Sequence, residues 1–162
     1  MDMTKIFFIT SSLLKSLEEF VTKVNFESIS NFNGISKTNI GIARFQNIDR
    51  ISSHYLGATS FNGSGGIKIE QFNRLKLTPK GLSDLKSSFY MKREELIERG
   101  INCIYYLVMK ETLFNDLKFN EKAYTPNAYM TSLILKNAQN VSIKSKVSVQ
   151  LFFSQTKVSH RY

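Results

Sequence analysis

The sequence is poor in the residues that most often carry catalysis and metal binding. Its 162 residues include one cysteine, two histidines and no tryptophan. A single cysteine excludes an internal disulfide framework and a cysteine-rich zinc site. His54 and His160 lie far apart, and neither has a serine, cysteine or carboxylate at a recognisable catalytic spacing. We therefore predict no catalytic residue, no metal ligand, no cofactor and no enzymatic activity.

Proline, glycine and long apolar runs are also scarce. Two prolines and eight glycines exclude a collagen-like or proline-rich chain, and no apolar run reaches the length of a transmembrane helix. Residues 1–9 hold one lysine before a short apolar stretch, but Asp2 interrupts the basic region, so we interpret them as part of the fold. With 42% apolar and 22% charged residues, the chain is predicted to form a single domain over residues 1–162.

The only cysteine lies in a strand-like apolar run. Cys103 is surrounded by isoleucine, tyrosine, leucine and valine over residues 101–109. A free thiol in such a run usually behaves as a small buried hydrophobe, and we favour that interpretation over a reactive nucleophile.

The charge is strongly basic and unevenly distributed. The formal net charge is +9, and no acidic residue follows Glu121. Such an excess favours an anionic partner: nucleic acid, a membrane surface or an acidic glycan. The candidate contacts are Lys136, Lys144, Lys146, Lys157 and Arg161. These residues are spread along the chain, which favours the simpler interpretation of a solvated basic face.

One amphipathic helix is predicted near the start of the chain, over about residues 12–24. Its apolar residues recur at the i, i+3/i+4, i+7 spacing of a buried face, and Ser11 or Ser12 can cap its N-terminus. The apolar positions are Leu13, Leu14, Leu17, Phe20, Val21 and Val24. We expect Leu17 and Phe20 to pack this helix onto a sheet.

Short segments with strand patterning follow the helix. The predicted strands are residues 39–45, 55–61, 67–72, 75–79, 101–109, 129–135 and 147–153. A polar stretch at 25–38 precedes them, and residues 62–66 form a glycine-rich turn. Residues 91–99 form either a short helix or an irregular excursion. One helix followed by six or seven strands predicts a mainly β protein.

The predicted architecture is an antiparallel β-sandwich over about residues 39–153, followed by a basic tail at 154–162. Residues 101–109 are apolar on both faces, which predicts a central strand. In the last strand every second residue is apolar, so we expect Val149 and Leu151 to lie inside the sandwich.

Three further patterns look like functional motifs but have simpler explanations. Residues 63–66 are glycine-rich but lack the Lys-Ser/Thr of a phosphate-binding loop. Three glutamates within residues 94–98 mimic paired acids, but Arg93 and Arg99 flank them, which favours surface ion pairs. Aromatic and basic residues interleave over residues 89–93, as in nucleic-acid-binding surfaces, although a chain with 13 Phe and 7 Tyr produces such neighbours by chance.

Two tripeptides match the N-glycosylation sequon. They begin at Asn62 and Asn140, and each falls in a predicted loop. Chance sequons are common in a chain rich in Asn and Ser, but a secreted protein carries its glycans in such loops. Asn62 and Asn140 are therefore the predicted modification sites.

Several segments together resemble one known family, the autoproteolysis-inducing (GAIN) domain of adhesion G-protein-coupled receptors. A helix leading into a sandwich, a strand followed by a Leu-Phe turn, and two strands joined by an Asn-Leu-Ser-like turn are similar to its C-terminal subdomain. The corresponding segments are residues 12–21, 39–45, 105–114, 132–137, 140–142 and 147–152. The resemblance implies a β-sandwich with a binding or mechanical role outside the cell.

The sequence departs from this family at its self-cleaving motif. The family cleaves at a His-Leu-Ser/Thr tripeptide framed by Cys and Trp, whereas this sequence lacks Trp and closes with His160-Arg161-Tyr162. The resemblance therefore implies a domain truncated before the cleavage motif, with no self-cleavage and with one sheet edge left for a partner protein.

Two hypotheses of function follow from the sequence. The first is a non-catalytic extracellular or cell-surface binding or scaffold module, resembling a truncated adhesion-receptor domain. The alternative is an intracellular basic protein of viral or mobile-element origin that binds nucleic acid or another macromolecule. Neither hypothesis includes a small-molecule substrate.

Overall fold

The computed structural model describes most of the sandwich and part of the helix before it. The described residues are 15–26, 30–72, 85–110, 118–119, 122–123, 129–143 and 146–153. Within these ranges, no helix is long and apolar enough to cross a membrane. Residues 1–9, the strand predicted at 75–79 and the basic tail at 154–162 lie outside them.

The described secondary structure begins with helix α1, which covers residues 15–23. The strands are β1 (Phe32–Ser36), β2 (Ile40–Gln46), β3 (Tyr55–Gly63), β4 (Gly66–Gln71), β5 (Leu85–Lys92), β6 (Cys103–Met109), β7 (Lys118–Phe119), β8 (Lys122–Ala123), β9 (Met130–Lys136) and β10 (Gln150–Phe153). A 3₁₀ helix, η1, spans Ile48–Arg50, and α2 spans Arg93–Glu98. The helix predicted within residues 91–99 is therefore confirmed.

Eight of the described strands form two antiparallel sheets. Sheet A has the order β1-β2-β6-β9, and sheet B has the order β10-β5-β3-β4. Their inner faces share one apolar core, in which the rings of Phe45 and Phe89 meet edge to face with centroids 6.0 Å apart. The protein is mainly β and forms an antiparallel β-sandwich, as the strand patterning predicts.

One side of the sandwich is closed where the β3–β4 hairpin meets the β1–β2 loop. Gly66 has a φ of +124°, a backbone conformation that favours glycine. The next amide, on Ile67, donates to the carbonyl oxygen of Lys37 at 2.9 Å and so links the two sheets. The predicted glycine-rich turn is confirmed, and its conformation also positions this link.

Helix α1 covers the outer face of sheet A and forms a third layer. Val21 is buried there, and Leu17 packs beside it on a cluster that includes Leu107 and Met109 of β6. The two apolar clusters bury β6 on both faces, which confirms it as a central strand.

The predicted packing of Phe20 onto the sheet is wrong, because this side chain is 62% exposed. Leu17, Val21 and Val24 recur at i, i+4 and i+7 and form the stripe that contacts the sheet. Phe20 precedes Val21 by one residue and so lies about 100° away around the helix. The apolar residues of the sequence cover two adjacent helix faces, of which the sheet contacts only one.

Two strands lie where the sequence pattern predicts none. β1 occupies the stretch interpreted as a polar bridge, and β5 occupies residues 85–92, where no strand is predicted. In β5, Ser87 takes an inward position among apolar residues and interrupts the alternation. Its hydroxyl is hydrogen-bonded to Ser60 and Tyr106 of other strands. A polar residue at an inward position breaks the strand pattern in the sequence, and its hydrogen bonds form only when the distant strands come together.

The expected interior positions of Val149 and Leu151 are also wrong, because they are 38% and 45% exposed. Leu151 pairs with Phe89, whose side chain lies in the core, so Leu151 has the predicted orientation. Strand β10, however, lies at an edge of sheet B, and no described strand pairs with its other side.

Candidate functional site

Two tyrosines form a stacked pair on the outer face of sheet B. Tyr55 of β3 and Tyr90 of β5 have parallel rings, with centroids 4.7 Å apart and planes 10° from coplanar. Phe72 meets the Tyr90 ring edge-on at 5.4 Å. Tyr55 nevertheless remains 43% exposed, so this aromatic surface is accessible to a ligand.

Gly57 makes room for this aromatic cluster. It lies opposite Tyr90 in the β3–β5 pairing, and its carbonyl oxygen accepts a 2.8 Å hydrogen bond from the amide of Phe72. A Cβ at this position would overlap the carbonyl oxygen of Phe89 and come within 3.1 Å of Phe72 Cβ. The cluster therefore depends on a glycine in the middle of a strand, where glycine is usually unfavourable.

A groove of about 320 Å³ runs beside the tyrosine pair, between sheet B and helix α2. This volume lies at the lower end of the range of small-molecule sites, roughly 300–1,000 Å³. The groove has an aromatic wall and a polar rim. The residues that line it include Tyr55, Tyr90, Lys92, Glu95, Ser148 and Gln150.

The rim of the groove is held by one hydrogen bond between distant segments. Glu95 Oε1, on helix α2, accepts the backbone amide of Ser148 at 2.9 Å. This bond joins the helix to the segment that leads into β10, and it places the carboxylate beside Gln150 and Lys92. The groove thus presents an amine, a carboxylate and a carboxamide within one small volume.

Strand β10 forms a second surface, which is apolar. One of its sides pairs with β5, and no described strand pairs with the other. Leu151, Phe152 and Phe153 are 45%, 53% and 50% exposed. Edge strands of soluble proteins are usually protected by charges, bulges or proline, so an apolar edge of this kind indicates a contact surface.

The segment before β10 crosses from one sheet to the other. The amide of Ile143 donates to the carbonyl oxygen of Leu135 in β9 at 2.9 Å, which folds the chain back along sheet A. Ile143 and Val147 are half-buried against the shared core. The crossing segment therefore anchors β10 at its start, while the strand itself lies at the edge.

The interior of the sandwich contains a network of hydroxyl groups. Ser60 Oγ and Ser87 Oγ are 2.7 Å apart, and Ser87 Oγ lies 2.5 Å from the hydroxyl oxygen of Tyr106. Burial raises the pKa of the Tyr106 hydroxyl to about 12, although its hydrogen bonds with Ser87 and Ser60 act in the opposite direction. The network is therefore uncharged at neutral pH, and it connects sheet A to sheet B.

Cys103 is a free cysteine that packs against the apolar cluster under helix α1. Desolvation raises the pKa of its thiol, and burial also raises the pKa of the neighbouring Tyr105 hydroxyl. A raised pKa lowers the thiolate fraction on which cysteine reactivity depends. This environment supports the interpretation of Cys103 as a small hydrophobe.

The structure describes two of the candidate contacts for an anionic partner. Lys136 ends strand β9, and its ammonium group donates to the carbonyl oxygen of Asn140 at 3.3 Å. Lys146 is exposed on the segment before β10. Lys144, Lys157 and Arg161 lie outside the described residues, so the predicted basic surface stays a prediction.

The two predicted glycosylation sites are both exposed, but only Asn140 lies in a turn. Asn62 pairs with Ile67 in the β3–β4 ladder, so its predicted loop position is wrong. Asn62 is exposed near the end of β3, beside the hairpin turn. Asn140 has a φ of 61°, and its amide donates to the carbonyl oxygen of Asn137 at 3.0 Å, closing the turn after β9. An exposed side chain is accessible to a glycosylating enzyme, and occupancy of either site stays a prediction.

The surface ion pairs predicted around helix α2 are wrong for Arg93. Its guanidinium donates to the carbonyl oxygens of Ile48 and Asp49, at 3.2 and 2.8 Å, and so holds the helix against η1. In the described part of the chain, no three His, Cys, Asp or Glu side chains come together as a metal site. His54 lies in these ranges, whereas His160 does not.

The sequence indicates only part of the groove. The interleaved aromatic and basic residues at 89–93 include Tyr90 and Lys92, but the sequence does not single out Tyr55 or Ser148, and it assigns Glu95 to surface ion pairs. Tyr55 is 35 positions from Tyr90, and Glu95 bonds a residue 53 positions away. Only the strand pairing and the crossing segment bring these groups together.

Comparison with known proteins gives no match: no family model, curated protein or solved structure is significantly similar to this chain.

Proposed function

We propose that this chain is a non-catalytic extracellular binding module, resembling a truncated adhesion-receptor domain, that pairs with a partner protein through strand β10. The observation that carries the proposal is the apolar edge formed by Leu151, Phe152 and Phe153. A strand with one unpaired side can accept an extended segment, which adds backbone hydrogen bonds to the sheet. The exposed side chains alternate between the two faces and would then contact alternate residues of the partner.

The charge of the protein favours an acidic partner over a second copy. Lys92 and Lys146 are exposed next to β10, and the chain carries a net charge of +9. Like charges oppose association of two copies, whereas acidic residues flanking an apolar segment would be attracted. The proposed partner segment is extended, apolar at alternate positions and acidic at its ends.

Peptide display tests this proposal directly. A library of random peptides is selected against the full chain, and the selected peptides are then measured against Leu151→Lys/Phe153→Lys and against Phe20→Ala. The proposal predicts peptides with alternating apolar residues and acidic ends, whose binding protects the β10 amides from hydrogen exchange. The double variant Leu151→Lys/Phe153→Lys should abolish peptide binding, and Phe20→Ala, which lies far from β10, should not change it.

Several outcomes contradict the proposal. The proposal fails if no peptide is selected, or if Leu151→Lys/Phe153→Lys still binds the selected peptides. It also fails if binding does not protect the β10 amides from hydrogen exchange. Sedimentation over a concentration series provides a further test, because a dimer abolished by this double variant would identify a second copy as the occupant. The substituted side chains are about half exposed, so circular dichroism should show unchanged folding.

The proposal also excludes self-cleavage. Such cleavage needs a base beside a nucleophile in a turn held under strain, and the sequence contains no His-Leu-Ser/Thr tripeptide. The mass of the intact chain should therefore stay constant during long incubation. A spontaneous break near His160 would contradict this part of the proposal.

A further inference from the structure

We propose that the groove beside Tyr55 and Tyr90 binds one uncharged hexopyranose ring of a glycan. This site shares Gln150 with strand β10 but includes none of Leu151, Phe152 and Phe153, and the inference does not depend on the protein partner proposed above. It rests on the stacked tyrosines, the composition of the rim and the balance of charge within the groove.

The aromatic wall fits one face of a sugar ring. The two tyrosine rings are parallel within 10°, and Phe72 braces Tyr90 from the side, so the platform is pre-ordered before a ligand arrives. An aromatic face is electron-rich, and the C–H groups on one face of a pyranose are weakly positive. Tyr55 is the exposed member of the pair and forms the contact surface.

The rim fits the hydroxyl groups at the edge of such a ring. Lys92 donates hydrogen bonds, a Glu95 carboxylate accepts them, and Gln150 can do both. A ligand with several neighbouring hydroxyls can satisfy all three, because each hydroxyl both donates and accepts. The bond from the Ser148 amide holds Glu95 in place, which limits the entropy lost on binding.

The charges of the groove favour an uncharged sugar over nucleic acid. Lys92 and Glu95 contribute one positive and one negative charge to the same groove. A phosphate chain stacking its bases on the tyrosines would pass the Glu95 carboxylate and be repelled. An uncharged polyhydroxyl ligand meets no such cost and uses both groups.

Saturation-transfer NMR on the full chain tests the inference. The probes are the methyl glycosides of glucose, galactose, mannose, N-acetylglucosamine and N-acetylgalactosamine, each titrated separately. At least one should receive saturation, mainly on the C–H groups of one face. Tyr55→Ala should weaken this binding by about tenfold or more, and Tyr55→Phe should retain most of it because the ring remains.

A second variant and two controls complete the experiment. Gln150→Leu should also weaken binding, and it removes a rim group without disturbing the aromatic stack. Phe20 is exposed on helix α1, which covers sheet A and not sheet B, so Phe20→Ala should bind the sugar like the parent chain. Leu151→Lys/Phe153→Lys should retain sugar binding and lose peptide binding. Failure of the sugar proposal is therefore distinguishable from failure of the proposed function.

Three results would overturn the inference. The first is no saturation of any of these glycosides. The second is binding that Tyr55→Ala and Gln150→Leu both leave unchanged. The third is binding of a mixed-sequence oligonucleotide that falls steeply with salt and is lost in Tyr55→Ala, which would assign the groove to nucleic acid.

Discussion

Ser87 and Tyr106 are hydrogen-bonded across the interior of the sandwich, with 2.5 Å between their hydroxyl oxygens. Ser87 belongs to sheet B and Tyr106 to sheet A, so this bond joins the two layers within their apolar core. Ser87 also bonds Ser60 at 2.7 Å, which makes it the centre of the network. A buried polar group is costly when it lacks a partner, so the network favours one relative placement of the sheets.

Removing the Ser87 hydroxyl should cost more than removing the Tyr106 hydroxyl. Tyr106→Phe deletes one partner and should lower the free energy of unfolding by about 0.5–1.5 kcal/mol. Ser87→Ala takes the shortest hydrogen bond from Tyr106 and one of its partners from Ser60, whose hydroxyl keeps its bonds to the backbone of residue 87, and should cost about 1–3 kcal/mol. Urea unfolding measures both, with the exposed Ser64→Ala as the control. A smaller loss for Ser87→Ala than for Tyr106→Phe would contradict the central role of Ser87.

Alkaline pH should destabilise the fold through Tyr106. Its pKa is raised from 10.0 to about 12, so above pH 10 the unfolded chain loses this proton while the folded chain keeps it. The stabilisation is fully present below pH 10 and is lost as the pH rises through 12, at up to about 1.4 kcal/mol per pH unit. The raised pKa values of Cys103 and Tyr105 act in the same direction.

This dependence is measured by urea unfolding between neutral and strongly alkaline pH. Tyr106→Phe lacks the titrating group, so its free energy of unfolding should fall less steeply above pH 10. Identical pH profiles for the parent chain and Tyr106→Phe would contradict the assignment of this loss to Tyr106.

Helix α1 should be sensitive at Val21 and tolerant at Phe20. Val21→Ala removes buried methyl groups beneath the helix and should cost about 1–3 kcal/mol. Phe20→Ala removes an exposed ring and should change stability by less than about 0.5 kcal/mol. Thermal unfolding monitored by circular dichroism compares the two variants. Equal losses would contradict the observed orientation of the helix.

Adjacent glycines in the β3–β4 hairpin should respond differently to alanine. At Gly66 the φ of +124° is unfavourable for alanine, and a Cβ would overlap the carbonyl oxygen of Lys37. Gly66→Ala should therefore cost more than about 2 kcal/mol, through strain and loss of the link at Ile67. A Cβ at Gly65 meets nothing within 4 Å, so Gly65→Ala is the matched control. Similar stability of the two variants would be inconsistent with this turn.

Secreted protein should carry N-linked glycan at Asn62, at Asn140 or at both. Each residue begins a sequon and is exposed, Asn62 near the end of β3 and Asn140 in the turn after β9. Mass spectrometry of protein expressed through a secretory pathway measures the modification. Ser64→Ala and Ser142→Ala each remove a sequon while leaving the asparagine, and the pair should abolish the mass increase. An unmodified mass in secreted material would count against the extracellular assignment.

The parts of the fold that the sequence predicts correctly depend on local interactions. Strands β2, β3, β4, β6 and β9 show alternating or continuous apolar residues, and the glycine-rich turn joins two of them. Helix α2 is followed by Gly100, which has a φ of +72° and contacts nothing where its Cβ would lie. Each of these signals is complete within about ten residues, so no knowledge of distant segments is needed to interpret it.

The candidate sites depend on residues that meet only after folding. In the sequence, neither Tyr55 nor Tyr90 indicates a groove. Their stacking follows from the β3–β5 register and from the space above Gly57, which exist only in the folded protein. The alternation in β10 predicts its inward face correctly, but its exposure depends on which strand lies at the edge of the sheet.

The sequence by itself therefore determined the mainly β class, the sandwich and the exposed turn at Asn140, because alternation and turn chemistry act between near neighbours. Only the tertiary structure decided that Phe20 and Leu151 are exposed, that Ser87 is buried and satisfied, and that Tyr55 faces a groove. Burial and hydrogen bonding at these positions are set by side chains from distant strands. The energies that distinguish them arise from contacts that no local pattern encodes.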